Sequence, residues 1–417
     1  MCIRDRLSGW RGDRALNAGV LAAGIWMLMP LLATASLLVV QRMTTLSTMF
    51  MLLGLAGYLL ARSRIDRNAT RALFWMTVSL VGGTALAVLC KESGLLLPVF
   101  VLVLESTILH PPRHVANRSW RIWQAVILGT PLLFILVYLA SSVPYPEALA
   151  MGRGYSGGER LMTEAGLLWV YLYKALLGMP STLGIFQDPP IVATSFWHWP
   201  TLLACFSWLL LGGAAVVWRR RWPLFALAVL WFLAGHLIES TVIALELYFE
   251  HRNYLALVGP LFALSGFLMS LGKRARLTAI GVGTGFAVLN AYFLFVFASL
   301  WGEPSMASRY WAMRYPDSVR AVTNMATYQL SEEGPIRTID TLDNFVERNP
   351  QHAYLRIQQL NLLCRIAPSA NHEQLVGLTQ RQLSSVDFTY TAGTMLSQLF
   401  DAAIATDCTS ILSLIHI

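Results

Sequence analysis

Nine apolar runs interrupt the polar positions of this chain, at 15–31, 44–61, 72–89, 94–109, 124–141, 200–217, 223–244, 255–272 and 278–300. A helix needs about 20 apolar residues to cross a bilayer. The runs therefore predict nine transmembrane helices in an all-α polytopic membrane protein; the fourth run is short. Beyond residue 300 the pattern changes to polar, helix-prone sequence without such runs. The expected organisation is a transmembrane domain at 7–300, with one long loop at 142–199, followed by a soluble helical domain at 301–411.

Charge sharpens this picture. Only 13% of the 417 residues are charged, against about 25% in soluble domains. The net charge of +8 raises nucleic acid as a partner, but the distribution of the charge excludes that need. Loops on one side carry Arg11 and Arg14, then Arg62, Arg64, Arg67 and Arg71, then Arg113, Arg118 and Arg121, then Arg219 to Arg221, then Lys273, Arg274 and Arg276, which makes 15 cations. The other side of the membrane region holds six: Arg42, Lys91, Arg153, Arg160, Lys174 and Arg252. Cytoplasmic loops carry the excess of Lys and Arg. The first set is therefore expected in the cytoplasm of a bacterial inner membrane, with the 142–199 loop and the C-terminal domain in the periplasm. That domain, from Trp301 to Ser410, is mildly acidic, with 11 acidic and 8 basic residues.

The two ends are set aside. MCIRDR at 1–6 and LSLIHI at 412–417 resemble translated adapter sequence, and the natural chain is expected to extend past both. Of five cysteines, Cys90 and Cys205 sit in apolar runs. Cys364 and Cys408 lie in the C-terminal domain, where an oxidising compartment would let them pair; sequence gives no distance between them. Pro316 and Pro350 are 34 residues apart, the period of tetratricopeptide repeats. Ala321, Leu342 and the segment from Leu355 to Leu363 supply apolar faces. An ordinary helical bundle is the alternative.

Charges at membrane depth are costly and mark function. Arg42 stands in QRMTTLS between the first two runs; its plainer role is a lipid headgroup anchor. Lys91 and Glu92 occupy the KES turn between the third and fourth runs, where a local ion pair capping the turn is the plainer role. In GHLIESTVIALELYFEHRNYL, from Gly235 to Leu255, Glu246, Glu250 and Asn253 fall within about 40° of Glu239 on a helix of 100° per residue. If the seventh span is continuous, Glu239, Glu246 and Glu250 share one stripe, with His236 about 60° away on the same geometry. A structural interhelical network is the alternative. The helical part of the long loop, about 158–177, mixes Trp169, Tyr171 and Tyr173 with Arg160 and Lys174, the composition of a helix lying on the membrane surface. The sequence holds no GxxxxGK[ST] phosphate loop, no metal-ligand spacing of His and Cys, and no clear inverted repeat.

QRMTTLS, the KES turn and ELYFEHRNYL, with the GER-containing loop and the 34-residue spacing, resemble a bacterial family of multi-spanning tetratricopeptide-repeat proteins. That family is similar to the transmembrane tetratricopeptide-repeat O-mannosyltransferases of animals and belongs with the GT-C glycosyltransferases. The resemblance covers about Ala15 to Asn361; EHRNYL is its most specific string. The family's His-Pro pair after the first span is replaced by Met29 and Pro30. The resemblance implies transfer of a sugar from a polyprenyl-phosphate donor, a membrane lipid, to an extracytoplasmic acceptor such as protein hydroxyls. It places the catalytic carboxylate in an outer loop upstream of Leu7. Arg42, Lys91 and Arg252 become candidates for the donor phosphate. Glu92, His236, Glu239, Glu246, Glu250, His251 and Asn253 become candidates for the sugar or acceptor, and the repeat tail for docking a protein acceptor. A transporter or flippase with a carboxylate-lined site, and a non-catalytic scaffold presenting the repeats, are the competing expectations.

Overall fold

The computed structural model describes residues 13–112, 115–142, 155–186, 192–386, 390–408 and 411. Among the described residues every element is helical. Five helices are long and apolar enough to cross a membrane: α1 (Val39–Arg62), α2 (Ala69–Cys90), α3 (Arg118–Ser142), α4 (Trp199–Trp218) and α5 (Lys273–Trp301). The number rises to seven if each of two bent pairs is one span. These are Arg14–Leu28 with Pro30–Leu37, bent by 61°, and Glu250–Ala256 with Val258–Ser270, bent by 50°. The first break falls at Pro30, which pushes Met29 into an extended conformation, as expected for a residue before proline. Large apolar side chains point outward from the long helices, including Leu53, Leu89, Leu209, Val217 and Phe295. A surface so apolar is a lipid-facing surface rather than a water-facing one.

Two of the nine expected spans contain helices too short to cross a membrane by themselves. The run at 94–109 gives only an 11-residue helix, Leu97–Thr107, roughly 16 Å long at 1.5 Å per residue. It follows a tight helical turn at Glu92–Leu96, and a Cβ on Gly94 would lie 2.5 Å from the backbone of Ala87. The run at 223–244 gives a 13-residue helix, Pro223–Gly235, that ends where the polar residues begin. The continuous stripe of Glu239, Glu246 and Glu250 therefore does not exist. These two short helices are internal: Phe100 stacks on Trp231 with centroids 4.2 Å apart, and the Trp231 indole donates to Leu255 O at 3.0 Å. They share one apolar core with α1, α2 and α3.

The chain divides into two compact units, the second built mainly from residues 299–417. The second unit holds Pro304–Arg314, Val319–Glu332, Pro335–Arg348, Leu355–Ile366, Glu373–Leu383 and Tyr390–Thr406. Ser318 caps the second of these by accepting from the Ala321 N–H. Val322, Ala326, Leu342, Phe345, Val346 and Leu355 make one apolar core. Cys364 and Cys408 are disulfide-bonded inside a second.

Candidate functional site

The polar centre of the first unit is the non-helical stretch from His236 to Phe249. Buried backbone needs partners, and irregular backbone at membrane depth persists only when buried in protein. Two guanidiniums supply those partners. Arg160 donates to the carbonyls of Glu239 at 2.8 Å, Thr241 at 2.9 Å, Glu246 at 3.3 Å, and to that of Leu245. Arg252 donates to Leu247 O at 2.8 Å and to Glu246 O. In a helix those carbonyls would accept from backbone N–H groups one turn on; here arginines stand in for them.

Side-chain charges close the network. Lys91 follows α2, its backbone N–H bonded to Ala87 O in extended geometry. Its ammonium lies 2.8 Å from Glu239 Oε1 and donates to Thr44 Oγ1 at 3.0 Å. Glu239 Oε2 is 3.9 Å from Arg252 Nε. Glu164 Oε1 accepts from Arg252 at 3.0 Å and from Arg160 at 2.8 Å. Lys91, Arg160, Glu164, Glu239 and Arg252 are all buried, so three cations and two carboxylates form one chain of contacts. Burial pushes the Glu164 carboxyl up to about 7, and Arg252 and Arg160 hold back the rise. A cavity of about 20 Å³ opens onto Thr44, Thr48, Glu239, His251 and Arg252, room for about one water. An apolar cavity of about 280 Å³ lies between Trp26, Met29, Leu37 and Tyr254.

The structure thus brings Lys91, Glu239, His251 and Arg252 together and separates the other candidates from them. Glu250 is buried and turned toward the Gly184 N–H at 3.0 Å. Asn253 is buried with its amide donating to Glu250 O at 3.1 Å. His236 stacks on Tyr171, centroids 5.6 Å apart, and its Nδ1 meets Ser240 Oγ at 3.1 Å. Glu246 enters the network through its carbonyl, and its side chain is half-buried. Arg42 is exposed at the start of α1, its Nε 3.4 Å from Ser36 O. Glu92 is exposed, so Lys91 pairs with Glu239 rather than with its neighbour, and the local turn-capping pair is corrected.

Arg160 and Glu164 were not singled out as site residues from the sequence. They belong to the helix Gly157–Leu177, expected on the membrane surface. Ser156 and Glu159 form its capping box, and Gly157, Arg160, Glu164, Leu167, Leu168, Tyr171 and Ala175 form its buried face. That charged face is turned into the protein. The signal was present: Arg160 and Glu164 are four residues apart and share the stripe of Leu168, Tyr171 and Ala175. The opposite face, with Leu161, Tyr173 and Leu177, is exposed. Compared with known proteins, the chain matches no family model, no curated protein and no solved structure.

Proposed function

We propose that this chain is a GT-C-type membrane glycosyltransferase. In this reading it takes a sugar from a polyprenyl-phosphate donor and passes it to an extracytoplasmic acceptor, a protein hydroxyl. The observation that carries the proposal is the pair of buried cations, Lys91 and Arg252, converging on Glu239 beside a small cavity. A phosphate leaving group needs cationic stabilisation in a water-poor site. The lipid phosphate would take the place of the Glu239 carboxylate against Lys91 and Arg252. The sugar would face His251, and the isoprenoid would lie along the apolar cleft by Trp26 and Tyr254. Arg42 would meet the phosphate as it enters.

The C-terminal helices are read as tetratricopeptide-like pairs that dock the acceptor protein. The Cys364–Cys408 bond supports an oxidising compartment for them, hence a periplasmic tail on a bacterial inner-membrane protein.

A transporter reading has one specific support, the two bent helix pairs, since substrate sites in transporters sit at broken helices. One assay separates the two. Membranes containing the chain preceded by the outer loop in which the resemblance puts the catalytic carboxylate are given radiolabelled polyprenyl-phosphate mannose and a Ser/Thr-rich acceptor protein. The proposal expects label on the acceptor, abolished by Arg252→Gln. Label that crosses sealed vesicles while the acceptor stays unlabelled would replace the transferase with a transporter.

A further inference from the structure

A second basic site lies away from the Lys91–Glu239 cluster, at the turn joining α1 to α2. Arg64, Arg67 and Arg71 line a cavity of about 560 Å³ with Leu60, Trp75 and Ser79. All three arginines are exposed, and among the described residues none is ion-paired. Gly57, Ala61 and Ala72 also line it. A Cβ on Gly57 would sit 2.7 Å from Ser79 Oγ, so the two helices approach closely there. Leu60 is 65% exposed and Trp75 is 50% exposed, on helices apolar enough to span a membrane. Cations at a cavity mouth, an interfacial tryptophan and an apolar wall match the two ends of a phospholipid. The basic turn at Arg219–Arg221 differs: Arg219 donates to Val216 O, and Arg220 and Arg221 are also engaged.

We propose that this cavity binds an anionic phospholipid. The guanidiniums hold the phosphodiester, and an acyl chain lies over Leu60 and Trp75. Arginine suits phosphate because its planar fork donates two parallel hydrogen bonds. Basic pockets between membrane helices on the arginine-rich side bind such headgroups. Three unpaired positive charges favour a lipid with two phosphates, cardiolipin, over phosphatidylglycerol. Neither the residues nor the ligand role overlaps with the donor site.

The test is native mass spectrometry of the purified chain in detergent with cardiolipin, phosphatidylglycerol or phosphatidylcholine, and separately with inorganic phosphate as competitor. Cardiolipin should bind more tightly than phosphatidylglycerol, and phosphatidylcholine most weakly. The triple change Arg64→Gln, Arg67→Gln, Arg71→Gln should weaken cardiolipin by about tenfold or more. The matched triple change at Arg219, Arg220 and Arg221 should leave it within about twofold, on the same electrostatic scale. Should the first triple variant fail to accumulate, phenylglyoxal labelling of the wild-type protein gives the same answer. Cardiolipin should protect the peptide containing Arg64, Arg67 and Arg71, and phosphatidylcholine should not. Equal loss in the two triple variants, unselective binding, or absent protection would overturn the site. Displacement of cardiolipin by millimolar phosphate would assign it to a soluble anion instead.

Discussion

The Lys91 ammonium lies 2.8 Å from Glu239 Oε1, joining the end of one membrane helix to a stretch of unwound chain, with both groups buried. Removing one partner of such a pair leaves an uncompensated buried charge, which costs about 3–5 kcal/mol. Lys91→Met should therefore lower the apparent melting temperature of the detergent-solubilised protein sharply. Adding Glu239→Gln to it should restore most of the loss. A double variant no more stable than the single one would mean that the two residues do not compensate each other.

Arg160 is the scaffold of the segment His236–Phe249. Arg160→Met removes the donors to four carbonyls at once, and hydrogen exchange across that segment should accelerate by more than tenfold. Arg160→Lys should not rescue it, because an ammonium is a point charge without the guanidinium's rigid fork. Exchange in the helix Pro335–Arg348, in the other unit, serves as the internal control and should stay unchanged.

Glu164 gives the site a pH dependence. Its folded-state carboxyl is raised to about 7 from an ordinary value of 4.5, so between those values the folded chain binds more protons than the unfolded one. Stability from this group is then full below about 4.5 and is lost as pH rises through 7. Melting temperatures measured from pH 5 to 8 should show that downward contribution, and Glu164→Gln should remove it. A Glu164→Gln profile parallel to wild type would contradict the assignment.

The disulfide closes a loop of 44 residues, which by chain entropy stabilises the second unit by about 4 kcal/mol. Cys364→Ser should lower the denaturant midpoint of that unit and make Cys408 reactive to maleimide. Cys90 and Cys205, free thiols in the first unit, should label identically in both proteins. Reporter fusions after Trp301 and after Trp218 should report opposite sides of the membrane; the same side for both would reject the sequence-based orientation.

The all-helical membrane class was legible because span length is written in consecutive apolar residues. Ala69–Cys90 and Trp199–Trp218 are complete in their own sequence. The run at 223–244 misled because its apolar content says nothing about who satisfies its carbonyls. That is decided by Arg160, far upstream, and by Arg252, just downstream. The same blindness hid Glu164, one of two acids in a mixed helix, whose two arginine partners come from different segments. Glu105 escaped for a similar reason: it looks like a stray charge in the fourth run, yet it holds Arg62 at 2.8 Å and Tyr58 at 2.6 Å. Lys91, Glu239, His251 and Arg252 were legible as costly charges near apolar runs, although the reason given for the carboxylates, a helical stripe, was incorrect.

The central claim is that Lys91 and Arg252 receive a lipid-linked phosphate, and the most direct measurement is the binding of polyprenyl phosphate to purified protein by native mass spectrometry. Because Lys91→Gln alone takes from Glu239 its 2.8 Å partner and leaves it only Arg252 at 3.9 Å, the informative variant is Lys91→Gln with Glu239→Gln, in which the buried pair is neutral on both sides. The account predicts that this double variant, folded by its melting temperature, binds polyprenyl phosphate at least tenfold more weakly than wild type, with Arg219→Gln as an unaffected control. Binding at wild-type strength by the folded double variant would contradict it.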